Sequence, residues 1–581
     1  MASEIKQTAA SKPQIPSDNR SLILALSAVV LSILLSALDQ TVVNPAMPRI
    51  VEELQGFNLF AWVSTAYLLT STATIPIAGK LGDIFGRKPL LIIAVVLFLT
   101  GSALCGAAPS MTWLVIFRGF QGIGSGALQA NAFAMIAELF PDSARRAKWQ
   151  GFIAGAFGLS SVIGPALGGF ITDNASWRWV FYVNLPVGAL AIPALILYLP
   201  YSKSALKRNI DWWGAFTIVA AIVSLLLALT WGGQKEPKGY AWISPQILGL
   251  FGAAAVLVGV FIWIEGRAAE PIVPLQLFKI STVRSMALIS FTVGAVMLGA
   301  LYFVPLFVQV VLGQSASSSG AITTPLALAM VVTNIFTGQF IGRVGILKIP
   351  MIIGSFFIIA GIGLLTTVTT ASVTWQVTLY MIVIGIGLGF VMPATTIAVQ
   401  ERVPRKDLGA GISSVQFFRS IGSTVGVAII GSTVTSSYVT NINTVPGVAN
   451  LPANLLDAIQ EPQNLLNKTI AANLPSSAIS AVHETLTSAI HGGFLIALGV
   501  SVITLLGVLT LPDIRLKIGR AKTAAVAAQS NPEVKEQAAV TSPTVMRETS
   551  DGDVAVPSNG VVAGATADAL AEVEVVPMRT R

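Results

Sequence analysis

Apolar residues along this chain come in unbroken runs of roughly 20, the length a helix needs to cross about 30 Å of hydrocarbon. The runs are continuous rather than alternating, so they predict helices and not the strands of a membrane barrel. Fourteen spans are expected, near 21–46, 59–79, 89–108, 112–137, 149–172, 179–200, 211–231, 244–264, 283–310, 318–341, 350–370, 374–400, 408–433 and 493–511. The expected fold class is all-α integral membrane. The first run, Ser21 to Ala46, follows a polar leader (1–20) containing Lys6, Lys12 and Arg20, and it is long enough to remain as an anchor.

Charge placement orients these spans. With the N-terminus inside, the six short cytoplasmic loops and their edges hold seventeen Lys and Arg, among them Lys80, Arg87, Lys88, Arg145, Arg146 and Lys148. The outer loops hold five: Arg49, Arg178, Lys235, Lys238 and Lys468. This asymmetry follows the positive-inside rule and places both termini in the cytoplasm. Composition agrees, because only 11% of residues are charged against about 25% in soluble proteins. The net charge of +8 therefore belongs to loops and tails and does not indicate a nucleic-acid surface. Outside the spans, residues 434–492 form an expected outer loop. Its weak amphipathic patch, Leu455 to Ile470, either packs over the outer mouth or serves as a linker. Residues 512–581 turn to Ala, Val, Thr, Ser, Pro and Glu, a composition expected to form a disordered cytoplasmic tail. Its first basic residues, Arg515, Lys517, Arg520 and Lys522, fall near the anionic leaflet.

An internal repeat explains the count. Gly122-Ile-Gly-Ser-Gly126 with Glu138-Leu-Phe-Pro141 recurs as Gly385-Ile-Gly-Leu-Gly389 with Glu401-Arg-Val-Pro404, both at an offset of 263 residues. The pair Gly79 and Gly86 is matched by Gly338 and Gly345. Two six-helix bundles, 21–200 and 282–511, thus flank an inserted two-helix segment, 201–281. A parallel repeat of this kind places binding near the midplane between the halves.

Three charges lie inside the spans: Asp39, Arg118 and Arg419. Each is costly there and tends to face a cavity or a partner. Asp39 and Arg118 both fall roughly 10 Å below the outer surface at 1.5 Å per residue, level enough to pair or to exchange a proton through water. Asp39 is read as the proton-coupling carboxylate, with Arg118 tuning its proton affinity; a static ion pair between spans one and four is the alternative. Arg419, near mid-depth, either attracts anionic substrates or donates hydrogen bonds to helix carbonyls. Trp62, Tyr67, Gln121, Asn131, Tyr302, Asn334, Gln416 and Arg419 are the candidate cavity lining, with packing or lipid-facing roles open for each. No metal or cofactor is expected. Cys105 stands alone, His483 and His491 read as solvated, and the glycines at 122, 124 and 126 have no preceding strand to make a phosphate loop. With no Walker lysine pattern, ATP is not expected to drive the protein directly.

Between spans two and three stands Gly79-Lys-Leu-Gly-Asp-Ile-Phe-Gly-Arg-Lys-Pro89. Gly79, Gly82 and Gly86 permit a tight turn and close helix contact, and Asp83 can cap a helix and pair with cationic groups. A positive-inside turn accounts for Lys80, Arg87 and Lys88 but not for the glycine spacing. Span five carries Gly158, Gly164, Pro165, Gly168 and Gly169, which read either as generic small-residue packing or as something more specific. The loop resembles the signature loop of the major facilitator superfamily. That resemblance implies a conformational lock built from Gly79, Gly82, Asp83, Gly86, Arg87 and Lys88, with Asp83 as its central contact. The second-half copy has Gly342 in place of Asp83. Span five is similar to the superfamily's antiporter motif, and Leu38-Asp-Gln-Thr, Arg118-Gly-Phe-Gln-Gly122 and Trp177-Arg-Trp resemble its fourteen-helix drug:proton antiporter branch.

The expectation is a non-enzymatic secondary transporter that exports amphiphilic drugs or toxic small molecules in exchange for protons. Its partners are a small-molecule substrate, protons and membrane lipids, with no nucleic acid. The chain is expected to act as a monomer in a plasma membrane of bacterial type. Facilitated transport of one metabolite is the alternative.

Overall fold

The computed structural model of this protein describes residues 19–516, except 56–58, 141, 201–209, 234–239, 315 and all but a few of 444–473. Leader residues 1–18, the tail beyond 516 and most of the patch at 455–470 lie outside the described residues. The helices are α1 (Asn19–Leu54), α2 (Phe60–Phe85), α3 (Arg87–Gly106), α4 (Met111–Leu139), α5 (Ser143–Asn174), α6 (Trp179–Tyr182), α7 (Asn184–Tyr198), α8 (Trp212–Trp231), α9 (Pro245–Glu265), α10 (Ser281–Val310), α11 (Ala316–Val344), α12 (Lys348–Leu365), α13 (Thr374–Arg402), α14 (Leu408–Ile442) and α15 (Ser476–Leu509). The sixth expected span is the stack of α6 on α7 through Val183.

Among the described residues, twelve helical segments are long and apolar enough to cross a membrane. Two helices expected to span, α2 and α4, are absent from that set. They carry Lys80 and Asp83, and Arg118, Gln121, Gln129 and Asn131, respectively. In α4 the buried amides lower the hydropathy, and in α2 the many Ser and Thr residues do so.

Boundaries differ from expectation at two places. α1 continues through Pro45 to Leu54 instead of stopping near Ala46. The expected outer loop is partly helical, because α14 runs on to Ile442 and α15 begins at Ser476. Part of that segment also packs into the second half: Tyr438 donates to the Ile459 carbonyl at 2.9 Å, and Tyr438, Val448, Ile459 and Leu474 all join the buried core there.

The halves repeat one packing scheme. α4 lies against α2 and α3, and α13 against α11 and α12; α1 lies against α5 and α7, and α10 against α14 and α15. A Cβ on Gly122 would collide with the Tyr67 carbonyl oxygen, and one on Gly385 with that of Leu326. These repeated glycines therefore let α4 and α13 approach their neighbours main chain to main chain. Gly122→Leu is expected to overpack this contact by about 1–3 kcal/mol or more, read as a lower melting temperature of the purified protein.

Two long-chain lysines close the outer helix of each half in the same way. Lys88 donates to the carbonyls of Ile196 and Leu199 at 2.6 and 2.7 Å. Lys348 donates to those of Leu509 and Leu511 at 3.0 and 2.7 Å. Cations belong at these helix C-termini, where unpaired carbonyls gather. The inserted pair α8–α9 packs on itself, and α8 also touches α2 and α14.

Candidate functional site

Asp39 sits on α1 with 1% of its surface exposed. Its carboxylate accepts from Arg118 Nη1 at 2.5 Å, Gln121 Nε2 at 2.9 Å and Asn184 Nδ2 at 3.0 Å. Arg118 and Gln121 come from α4, one turn apart, and Asn184 opens α7. Ser102 of α3 completes the floor, accepting from Gln121 and Asn184 and donating to the Phe181 carbonyl at 2.9 Å. Arg118 also bonds Gln121 Oε1 and the Val63 carbonyl. Its guanidinium lies 4.2 Å from the centre of the Tyr67 ring, a cation–π distance. Tyr67 in turn donates to Ser125 at 2.7 Å.

Every group touching the Asp39 oxygens is a donor, so the pocket fits a charged carboxylate. Hydrogen bonds to a charged group are worth about 1.5–3 kcal/mol each, which offsets the cost of keeping the ion pair from water. The helix-level depth argument for Asp39 and Arg118 thus meets an observed pair. Asn184 and Ser102 were not singled out by the sequence. Asn184 had a signal, as a polar residue inside an apolar run; Ser102 had none, because hydroxyls are tolerated anywhere in a helix.

The glycine loop makes the second site. Asp83 ends α2 and accepts from the backbone N–H groups of Gly409 and Ala410 at 3.0 and 3.1 Å. Those groups belong to the first turn of α14, in the other half, whose own N-cap residue Asp407 offers no side-chain cap. Asp83 is thus an N-cap supplied from another helix, placed where the helix dipole favours a negative charge. Arg87 holds it at 2.6 Å and binds Glu138 at 2.6 Å. Gly79 lets α14 in, since a Cβ there would strike Ser413 and the Gly409 carbonyl. A Cβ on Gly82 would strike Asn131. Gly86 adopts φ 88°, a backbone state open to glycine. Lys88 does not reach the other half; it caps α7 as described above. Lys80 instead pairs with Glu270, just beyond α9, at 3.1 Å. The same seam is joined by an ion pair between Arg146 of α5 and Glu401 of α13, and by Gln400 donating to the Phe133 carbonyl at 3.4 Å.

Along α5, Gly158 meets Val331 and the Ala327 carbonyl of α11, whereas Gly164 and Gly168 meet Thr41 and Val42 of α1. Gly169 has no neighbour within 4 Å of an added Cβ. Pro165 lies inside this helix, and close by Thr41 donates to the Ser160 carbonyl at 3.0 Å.

The candidate cavity residues separate. Trp62 packs edge-on against Trp231 of the inserted pair, and Asn131 bonds the Ala78 and Ala127 carbonyls. Tyr302 is half exposed and packs on Phe303. Asn334 and Gln416 are buried, and both Asn334 amide atoms and Gln416 Oε1 lack a partner. Arg419 is half-buried.

The sequence profile of the major facilitator superfamily matches residues 29–427. The chain belongs to this superfamily. It is 41% identical over 489 residues to the multidrug transporter protein MdtP of Bacillus subtilis (strain 168), covering 81% of this chain and 89% of that one. It is 37% identical over 494 residues to multidrug resistance protein 3 of the same organism, covering 84% and 95%. Among solved structures, the proton:xylose symporter XylE is similar with a TM-score of 0.56 at 15% identity, over 86% of this chain and 97% of that one. At that identity the likeness concerns the fold alone. This is a multi-pass membrane transporter of a family of transporters rather than enzymes, and its relatives bear multidrug names.

Proposed function

We propose that this superfamily member exports amphiphilic small molecules in exchange for protons by alternating access. In this reading all fourteen helices, α6 and α7 counting as one, cross a plasma membrane with both termini in the cytoplasm. The observation that carries it is the Asp39 pocket. Protonation replaces an acceptor oxygen with a donor O–H where Arg118, Gln121 and Asn184 all donate in the described state. Arg118, Gln121 and Asn184 must then rearrange, which shifts α1 against α4 and α7.

A contact path supports coupling from there to the rest of the molecule. Thr41 and Val42, two and three residues past Asp39, bear on Gly164 and Gly168 of α5. The same helix leans on α11 through Gly158. At the opposite end of α5, the Asp83 and Arg146 contacts hold the seam closed on the face assigned to the cytoplasm. The described state is thus read as closed inward with Asp39 charged, and proton entry from outside as the event that unlocks it. The multidrug relatives support a drug-like cargo.

Cells of a sensitised host, loaded with an amphiphilic dye, provide the test. Expression of the chain is expected to drive dye efflux that collapses when a protonophore removes the gradient. Efflux unaffected by the protonophore would overturn proton exchange.

A further inference from the structure

Arg419 is the charge within the spans that the coupling site leaves unused. It lies eleven residues beyond the start of α14, about 16 Å along the helix, and so near the middle of a core about 30 Å thick. Arg87, Arg118, Arg146 and Arg178 each bind a carboxylate. Among the described residues, no ion pair or side-chain hydrogen bond reaches the Arg419 guanidinium, although its side chain is half-buried and presents five N–H donors. The helix carbonyls that the sequence offered as its partners do not receive it.

Its surroundings share this unmet capacity. Gln416, one turn earlier on α14, is 2% exposed with Oε1 unpartnered. α10 presses main chain to main chain at this level, where a Cβ on Gly294 would strike the Arg419 carbonyl. One turn before Gly294, Ser290 is 2% exposed and its hydroxyl is also unpartnered. A fixed cation at mid-membrane is costly against lipid and persists where it faces an interior path or a counter-charge. Among the described residues no counter-charge reaches it, and the nearby amide oxygen and hydroxyl have no partner of their own.

We propose that Arg419 is an anion-binding element of the transport path, taking the acidic group of an amphiphilic carboxylate or sulfonate. Gln416 and Ser290 supply further hydrogen bonds beside it. The inference rests on the export reading only for the direction in which such an anion moves.

The test is equilibrium binding by the purified full-length protein, read by fluorescence anisotropy with no gradient present. An anionic xanthene dye bearing a carboxylate is compared with a cationic xanthene dye of similar size. Arg419→Gln is expected to weaken the anionic dye about tenfold, the scale of one lost charge-assisted contact, and to leave the cationic dye unchanged. Arg419→Lys should keep most of the anionic affinity. Equal loss for both dyes, no loss for either, or no binding of the anionic dye by the unaltered protein would each overturn the proposal. So would a large fall in the melting temperature of the dye-free Arg419→Gln protein, which would mark a structural role. Arg419-dependent binding without protonophore-sensitive efflux would sink the export reading alone; intact efflux with charge-blind binding would sink this one alone.

Discussion

Asp39→Asn is expected to lower proton-driven efflux by about two orders of magnitude while leaving downhill substrate exchange across the same membrane largely intact. Asparagine keeps the size of the side chain and one acceptor oxygen, so Gln121 or Asn184 retains a partner. What disappears is the only carboxylate paired with Arg118 among the described residues, in a pocket where Asp39 is 1% exposed and Arg118 2% exposed. Leaving one member of a buried pair alone costs about 3–5 kcal/mol, and each 1.4 kcal/mol is roughly a factor of ten. The amide also takes up no proton, so the gradient has nothing at this position to act on. Measuring counterflow of labelled dye in proteoliposomes beside gradient-driven uptake separates the outcomes. Equal loss of both activities points to a structural pair; undiminished gradient-driven transport removes Asp39 from the coupling step.

Asp83→Asn comes second in size and acts at the other end. The carboxylate takes two backbone N–H groups of α14 and an ion pair from Arg87. The amide keeps one acceptor and loses the charge. A loss of about 2 kcal/mol from the closed state, in line with charge-assisted hydrogen bonds, shifts the balance between closed and open forms roughly thirtyfold. The sole native cysteine, Cys105, is buried, so paired labels can be introduced elsewhere cleanly. With Arg145→Cys and Lys406→Cys as label sites, both exposed on this face, the distance distribution is expected to gain a long component in the Asp83→Asn protein. An unchanged distribution would show that the contact does not latch the halves.

Much of the fold was legible because burial in a membrane writes itself into composition: a span is apolar on every side, so a run of residues is enough to find it. The exceptions share a cause. α1 passes Pro45 and α14 outruns its expected end because helices extend beyond the bilayer wherever water or protein satisfies them, and hydropathy carries no signal there. Pairing was legible where helical rise converts residue number into depth, as for Asp39 and Arg118. It was not legible where a partner depends on which helix lies alongside. Trp62 and Asn131 read as cavity residues from polarity and position, yet the first packs on the inserted pair and the second ties α4 to the end of α2. Lys88 stands inside the glycine loop but caps α7, and only the equivalent bond from Lys348 makes sense of its place. The backbone groups of Gly409 and Ala410 could not be named in advance at all, since a main-chain donor has no letter in the sequence.

The inserted helix α8 rests on both α2 and α14, one helix from each side of the seam. Ile218, Ile222 and Leu226 of α8 meet Leu69 and Ala73 of α2 and Phe417 of α14, and none of these side chains carries a polar atom. Dispersion contacts between such groups are individually small and have no preferred direction, so one can be exchanged for the next as the surfaces pass. Under the proposed alternating access, the extra pair acts as a greased bearing along one flank of the molecule, an apolar face over which the two sides turn.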